Sequence, residues 1–319
     1  MNTRRATGLS LAVSLLAAVL CFGQFQRWWD PESRRPATGG YVRIEGGQVV
    51  NEETLRTARE TATHSSAPPE WTNAANFEQD VFTFARVIFQ SDSSDSPYRG
   101  FGRRLGWWVD YPDADLNLSY RLQQLTSVRT DPDCRVLRLT DPELFDYPLI
   151  YLEHAGYMRL SDAETAALRK YLASGGALFV NDFWSAREWD GFADQIARVL
   201  PKQDWIELTT DHAVFRCVFD LRGPMHRLRV PTMQFWNTDF DPHDPQSPPH
   251  RVFRGEGSEQ MRVRAMVDNA GRMQILAIHN SDVSDGWERE AENEFYFNRF
   301  SEKIAYPLGI NIIFYLMTH

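Results

Sequence analysis

Acidic and imidazole side chains that follow apolar runs are the first candidates for chemistry in this sequence. Asp110 ends WWVD, Asp182 ends LFVND, and Asn280, Asp282, Asp285 and Trp287 follow RMQILAIH. His154 follows LIYLE, and His212 follows WIEL. Carboxylates and a near-neutral imidazole can act as general acid, general base or metal ligand. Asp182, His212 and Asp110 would then serve an acid–base or metal-assisted hydrolase. The plainer account of each histidine is a backbone hydrogen bond that shapes a turn, with Asp211-His212 capping the next element. Asp110, Asp113, Asp115 and Asn117 resemble a calcium loop only in spacing, because the glycine and distal glutamate of an EF-hand are missing. Asp113 and Asp115 fit a helix N-cap and first turn, where carboxylates suit the dipole. Asn280, Asp282 and Asp285 could grip a sugar or a cation, or form an Asx-turn loop. Arg99, Arg103 and Arg104 could meet an anion, although a solvated loop explains them as well. Trp107, Trp108, Trp184, Trp189 and Trp287 fall in loops or at strand ends, where they stack on sugars or close the core.

The elements that must position these residues centre on 148–182. Leu149–Leu152 and Ala177–Val180 are apolar without alternation, as in strands buried on both faces of a parallel sheet. Ser161 and Glu164 predict a capping box for a helix from about Asp162, and Gly175-Gly176 stop it. The unit reads as a right-handed βαβ crossover. Its carboxyl ends are where ligands of open α/β sheets sit. Further strands are expected at 81–89 and 135–139, in one mostly parallel sheet with helices on both faces. Leu118, Leu122 and Leu125 mark a helix; FWSAREW reads as an aromatic loop before a helix at 190–200. WIEL reads as a short strand, and MRVRAMV with RMQILAIHN as a hairpin. A long insertion covers 241–249, and 303–317 is an apolar C-terminal helix.

The chain has 319 residues, enough for one large domain or two small ones, and a formal charge of −9. That charge argues against nucleic acid, whose binding rests on basic surfaces. Arg4 and Arg5 precede the apolar stretch Leu9 to Phe22, so residues 1–23 read as a cleaved signal peptide. Export to the periplasm or medium follows from it; an uncleaved membrane anchor is the alternative. Residues 24–70 read as an N-terminal extension ending in the linker HSSAPPE, and 71–319 as the main domain. Of three cysteines, Cys21 lies in the leader; Cys134 and Cys217 are too few for a Cys-type zinc site, and their pairing stays open.

Seven segments in order resemble the bacterial family called domain of unknown function 4159: FTFARVIF, WWVDYPDADLNL, DPELFDYPLIYLEHAG, LRKYLASGGALFVND, DHAVF, HNSDVSDGWE and AYPLGINIIFYL. The resemblance runs from about residue 71 to the end. It implies a class I glutamine amidotransferase-like, flavodoxin-like three-layer sandwich. It implies no established activity, and fold does not supply function. Enzymes of that fold place a Cys at the turn after a central strand. Here the turn is Glu153-His154-Ala155-Gly156, which holds no such nucleophile. The expected function is therefore an exported, non-catalytic ligand-binding or accessory domain of the cell envelope. Its partner would be a small polar ligand, a glycan or another envelope protein. The cofactor and any metal stay open. The expected site is one cleft at the sheet's carboxyl edge, faced by Asp110, His154, Asp182 and His212 and bordered by Asn280 and Asp282.

Overall fold

The structure, a computed structural model, describes residues 40–44, 47–74, 80–92, 106–233 and 254–319. The leader, Arg99, Arg103, Arg104 and the 241–249 insertion lie outside the described residues.

One seven-stranded sheet organises the domain. Its strands are β1 (Ala85–Ile88), β2 (Arg135–Arg138), β3 (Leu149–Glu153), β4 (Ala177–Phe183), β5 (Ile206–Glu207), β6 (Arg262–Val267) and β7 (Met273–His279). The order across the sheet is β2-β1-β3-β4-β7-β6-β5. Strands β2, β1, β3, β4 and β7 are parallel; β6 is antiparallel to both its neighbours, so the edge strand β5 runs in the direction of the main five. Strands β3 and β4 pair directly from Leu149–Ala177 to Glu153–Asn181, so the expected crossover is present. Every residue of β1, β3, β4 and β7 is buried, which is why their sequences do not alternate.

Four longer helices flank the sheet: α1 (Asp113–Leu125), α2 (Asp162–Ala173), α3 (Ser185–Val199) and α4 (Tyr306–Thr318). Helices α1 and α4 touch each other, as do α2 and α3, an arrangement compatible with a three-layer sandwich. The expected capping box opens α2: the Ser161 hydroxyl accepts from the Glu164 amide, whose carboxylate takes the Ser161 amide. No helix among the described residues is long and apolar enough to cross a membrane.

Several expectations are corrected. The first strand is shorter than 81–89, because Phe82 makes only an isolated bridge to Thr130. FWSAREW is not a loop. Helix α3 begins at Ser185, its first amides caught by partners far away: Ser185 by the Asn280 amide oxygen and Ala186 by the Glu256 carbonyl. The C-terminal helix is preceded by a π-helical stretch, Phe297–Ala305. Among the described residues before 70, Ile44, Val50, Leu55 and Ala58 share the main core. The linker HSSAPPE is bound too, since the backbone amides of His64, Ser65 and Ser66 all donate to Asp113. Cys134 is buried and Cys217 exposed, both as free thiols.

Candidate metal centre

The carboxyl ends of β3, β4 and β7 converge with the turn before α1. Arg86, buried in β1, builds that turn. Its Nε donates to both Asp115 oxygens, and its Nη1 donates to the carbonyls of Trp107 (2.7 Å) and Val109 (2.9 Å). A second tie comes from Trp107 Nε1, which donates to Glu52 at 2.5 Å. These bonds hold the backbone just ahead of Asp110, which sits at φ 59° and is 3% exposed.

Asp110 meets Asp182, near the end of β4, and Asp282, just after β7. One carboxylate oxygen from each lies within 4.8 Å of the others, and all three residues are buried. Oxygens about 2.4 Å from a calcium-sized cation span twice that distance, so the spacing fits one cation between them. The set holds no sulfur or imidazole, which favours a hard cation such as Ca²⁺, Mg²⁺ or Mn²⁺.

Glu153, the last residue of β3, is a further buried carboxyl near this group, though outside the set whose oxygens lie within 4.8 Å of one another. It is fully buried; Tyr151 Oη donates to its Oε2, while its Oε1 has no hydrogen-bond partner. Burial pushes the Glu153 carboxyl well above the usual range, and the charges of Asp110 and Asp182 push it further. Asp282 is raised likewise, by burial first and then by Asp182 and Asp285. Its Oδ2 accepts from Thr232 (2.7 Å) and its Oδ1 from the Asp285 amide (3.0 Å). Asp182 Oδ1 accepts from Trp184 Nε1 at 2.5 Å. Arg254 brings a guanidinium nitrogen to 3.7 Å from the same oxygen, beyond hydrogen-bond distance, and its guanidinium lies over the Trp184 ring at 4.5 Å.

Asp110 also belongs to a second close group, with Asp285 and Glu288. Two of its three carboxylates already share a cation, Arg289. Asp285 pairs with Arg289 at 2.7 Å and accepts the Met233 amide, and Glu288 pairs with Arg289 (2.9 Å) and His64 (3.1 Å). The first group is therefore the better cation seat.

Each expected residue has a definite place. Asp110, Asp182 and Asp282 come together. His154 lies beside Asp182 on adjacent strands, its amide donating to the Asn181 carbonyl, but its ring turns to Glu188, with Nδ1 3.9 Å from Oε2. Helix α3 reaches it through two bare positions: a Cβ at Gly156 would lie 2.4 Å from Glu188 Cβ, and one at Gly191 2.4 Å from the Gly156 oxygen. Glu188 is buried, and that burial raises its pKa to about 8 against the Trp184 amide that lowers it. Asn280 is a clamp: it accepts from the Ser185 amide and donates to the carbonyls of Gly257 and Gln260. His212 does not join the group. It caps the turn Ala213–Phe215 through Nδ1 and packs on Tyr315 of α4. Asp113, Asp115 and Asn117 serve the scaffold rather than a calcium loop, bound to 64–66, to Arg86, and to Ser66 with the Trp287 carbonyl. Trp107, Trp184 and Trp287 are wholly buried, so they close the core.

A family model described as Domain of unknown function (DUF4159) matches residues 87–317. The chain belongs to this family. No curated protein matches it. The DUF4159 match spans Asp110, Glu153, Asp182 and Asp282, so the whole cation seat lies inside the family domain. Sequence reasoning passed over Glu188 and Arg254, and placed Glu153 at the rim, as a carboxylate closing an otherwise apolar strand, without counting it as a site residue.

Proposed function

We propose that this domain binds a divalent cation at the carboxyl edge of a flavodoxin-like sheet, and that its role in the cell envelope is ligand binding through that centre. The fold reading is supported by the five parallel strands, whose order matches the flavodoxin sequence 2-1-3-4-5 when β7 is counted fifth. Kinship with class I glutamine amidotransferase-like folds is proposed from the same order. The Cys nucleophile of that class has no counterpart at the turn after β3, and Cys134 lies at the amino end of β2. Export by residues 1–23 is proposed on the basic pair and apolar run alone.

The observation that carries the cation reading is the buried, unpartnered Glu153 Oε1 beside the Asp110–Asp182–Asp282 group. An uncompensated buried carboxylate is costly, and a divalent ion offsets several at once. Calorimetry and thermal melting with Ca²⁺, Mg²⁺ and Mn²⁺ after chelator treatment test it. A cation that binds the native state at a hundred times its Kd stabilises by about 2.7 kcal/mol. No heat and no melting shift with any of the three would end the reading.

A second reading is a metal-assisted hydrolase, favoured by the Glu188–His154 contact beside the seat. In it the cation polarises the substrate and Glu188 moves the proton. His212 has no part in it, because it caps a turn against α4. Cation-dependent hydrolysis of nitrophenyl esters or phosphates, abolished in Glu188→Gln with cation binding retained, would favour this reading over pure binding.

A further inference from the structure

Strand β6 carries arginines on alternate positions, Arg262 and Arg264, which therefore share one face of the sheet. Arg262 pairs across the ladder with His279, the last residue of β7, so that imidazole stands on the same face. The His279 ring lies against Trp189 of α3 at 5.4 Å, so this is the face that α3 covers. Arg264 lies over the Trp189 ring at 3.7 Å. Helix α3 leaves a shelf over β6, and a cavity of about 500 Å³ opens there. Asp190 joins Trp189 along its helix wall, and Glu259 with Gln260 forms the opposite side. Asn280 separates this cavity from the carboxylate centre by clamping Ser185 to the 257–260 turn.

We propose that this cavity is a binding site for a small hydroxylated carboxylate, of the sugar-acid class, independent of the cation seat. The two guanidiniums are the anion grip, since Arg forks match carboxylate geometry. Their present partner is Glu207, 2.6 Å from Arg262 and 3.9 Å from Arg264. Its side chain is 51% exposed, so the pair is solvent-screened and a ligand carboxylate can exchange with it. Acceptors for ligand hydroxyls line the rest of the cavity. His279 is not one of them: its Nε2 lies 2.9 Å from the Ser185 carbonyl and must donate to it, and its Nδ1 accepts from Arg264 Nη1 at 3.4 Å, a bond that orients that guanidinium. Burial drives the His279 pKa down to about 3, with Arg264 and Arg262 adding to the shift, so the ring stays neutral. Asp190 and Glu259 supply carboxylate acceptors at the rim. A plain anion would meet these two carboxylates as repulsion; a hydroxylated one meets them as hydrogen-bond partners.

Calorimetry with glucuronate, galacturonate, gluconate and tartrate tests the proposal, with glucose and acetate as the uncharged and the unhydroxylated controls. At least one hydroxylated acid should bind at millimolar concentration or below, about tenfold or more tighter than both controls. Arg262→Gln and Arg264→Gln should each weaken it about tenfold with the melting temperature nearly unchanged. Binding should also move the His279 ring titration upward in NMR, because the ligand anion offsets the arginines. No binding by any of the four acids overturns the proposal, and acetate binding as tightly as the best of them overturns its hydroxylated class. Wild-type affinity in both arginine variants moves any binding away from this cavity and overturns it too. Cation binding is measured separately, and its failure leaves this result untouched.

Discussion

Asp110→Asn separates charge from shape at the proposed cation seat. Asp110 sits at φ 59°, a left-handed conformation that Asn tolerates as well as Asp, so the turn should survive. Two charges 4.8 Å apart repel by roughly 3.5 kcal/mol at an effective dielectric of about 20. Asp110 takes part in two of the three pairs within the group, so with all three ionised the relief would be about 7 kcal/mol or more, 4.8 Å being the largest separation. Proton uptake and the nearby Arg254 guanidinium absorb most of this, leaving an expected gain of about 2 kcal/mol in chelator near pH 8. The pH dependence has a definite sign. Glu153 and Asp282 have folded pKa values above their ordinary ones. Their contribution to stability is full below the ordinary carboxylate range and is lost as pH rises through the raised values. Wild type in chelator should therefore weaken on the alkaline side more than Asp110→Asn does, and the two should converge near about pH 5. With cation present the order should reverse: Asp110→Asn loses about a hundredfold in affinity, or about 2.7 kcal/mol. Urea unfolding across pH, with and without cation, measures both. A variant less stable than wild type in chelator at alkaline pH, or equally stabilised by the cation, would refute the reasoning.

Arg86→Met should destabilise by about 3–5 kcal/mol in urea unfolding, because it strands Asp115 in the core. It should weaken cation binding as well, since Arg86 also holds the Trp107 and Val109 carbonyls ahead of Asp110. Gly191→Ala should lower stability by about 1–3 kcal/mol, because its Cβ would stand 2.4 Å from a backbone oxygen that cannot retreat freely. Glu188→Gln mimics the protonated carboxyl: wild type loses stability as pH rises from the ordinary carboxylate value toward about 8, and the variant should not. Parallel stability curves for the two proteins between those limits would contradict the assigned burial effect.

How much of this was legible before folding depends on how local each signal is. The βαβ unit was readable because the Ser161 capping box, the Gly175-Gly176 stop and two apolar runs are all short-range. The rim positions of Asp182 and Asp282 were readable from strand ends, whereas Asp110 reaches the rim on the turn before α1. The start of α3 was not, because its N-terminal amides are capped by Asn280 and Glu256, far along the chain. Residues 24–70 read as an extension because their apolar side chains are sparse, yet Ile44, Val50, Leu55 and Ala58, among the described ones, lie in the main core. His212 misled for a related reason: following a strand says nothing about how far across the sheet that strand stands. Strand β5 runs in the direction of β7 but at the far end of the sheet, and the turn after it leads to α4.

The backbone itself marks the edge. Asp110, His154, Asp182, Ser185 and Asn280 all have positive φ, and none is glycine. Of these, His154, Asp182 and Asn280 stand at the ends of the adjacent strands β3, β4 and β7. Three neighbouring strands therefore kink in the same sense as they leave the sheet. The kinks are tied into the ladder, since the His154 amide still donates to Asn181 and the Asn280 amide to Phe183. Asp, Asn and His accept this conformation more readily than other side chains, so the residue types suit the backbone as well as the carboxylate cluster. Alanine at Asp182 would remove the carboxylate and also disfavour the kink, mixing a lost ligand with about 1 kcal/mol of backbone strain. Asparagine keeps the kink and removes only the charge. A loss of cation affinity in Asp182→Asn with stability preserved would assign the residue to the cation, whereas Asp182→Ala alone would leave ligand and fold confounded.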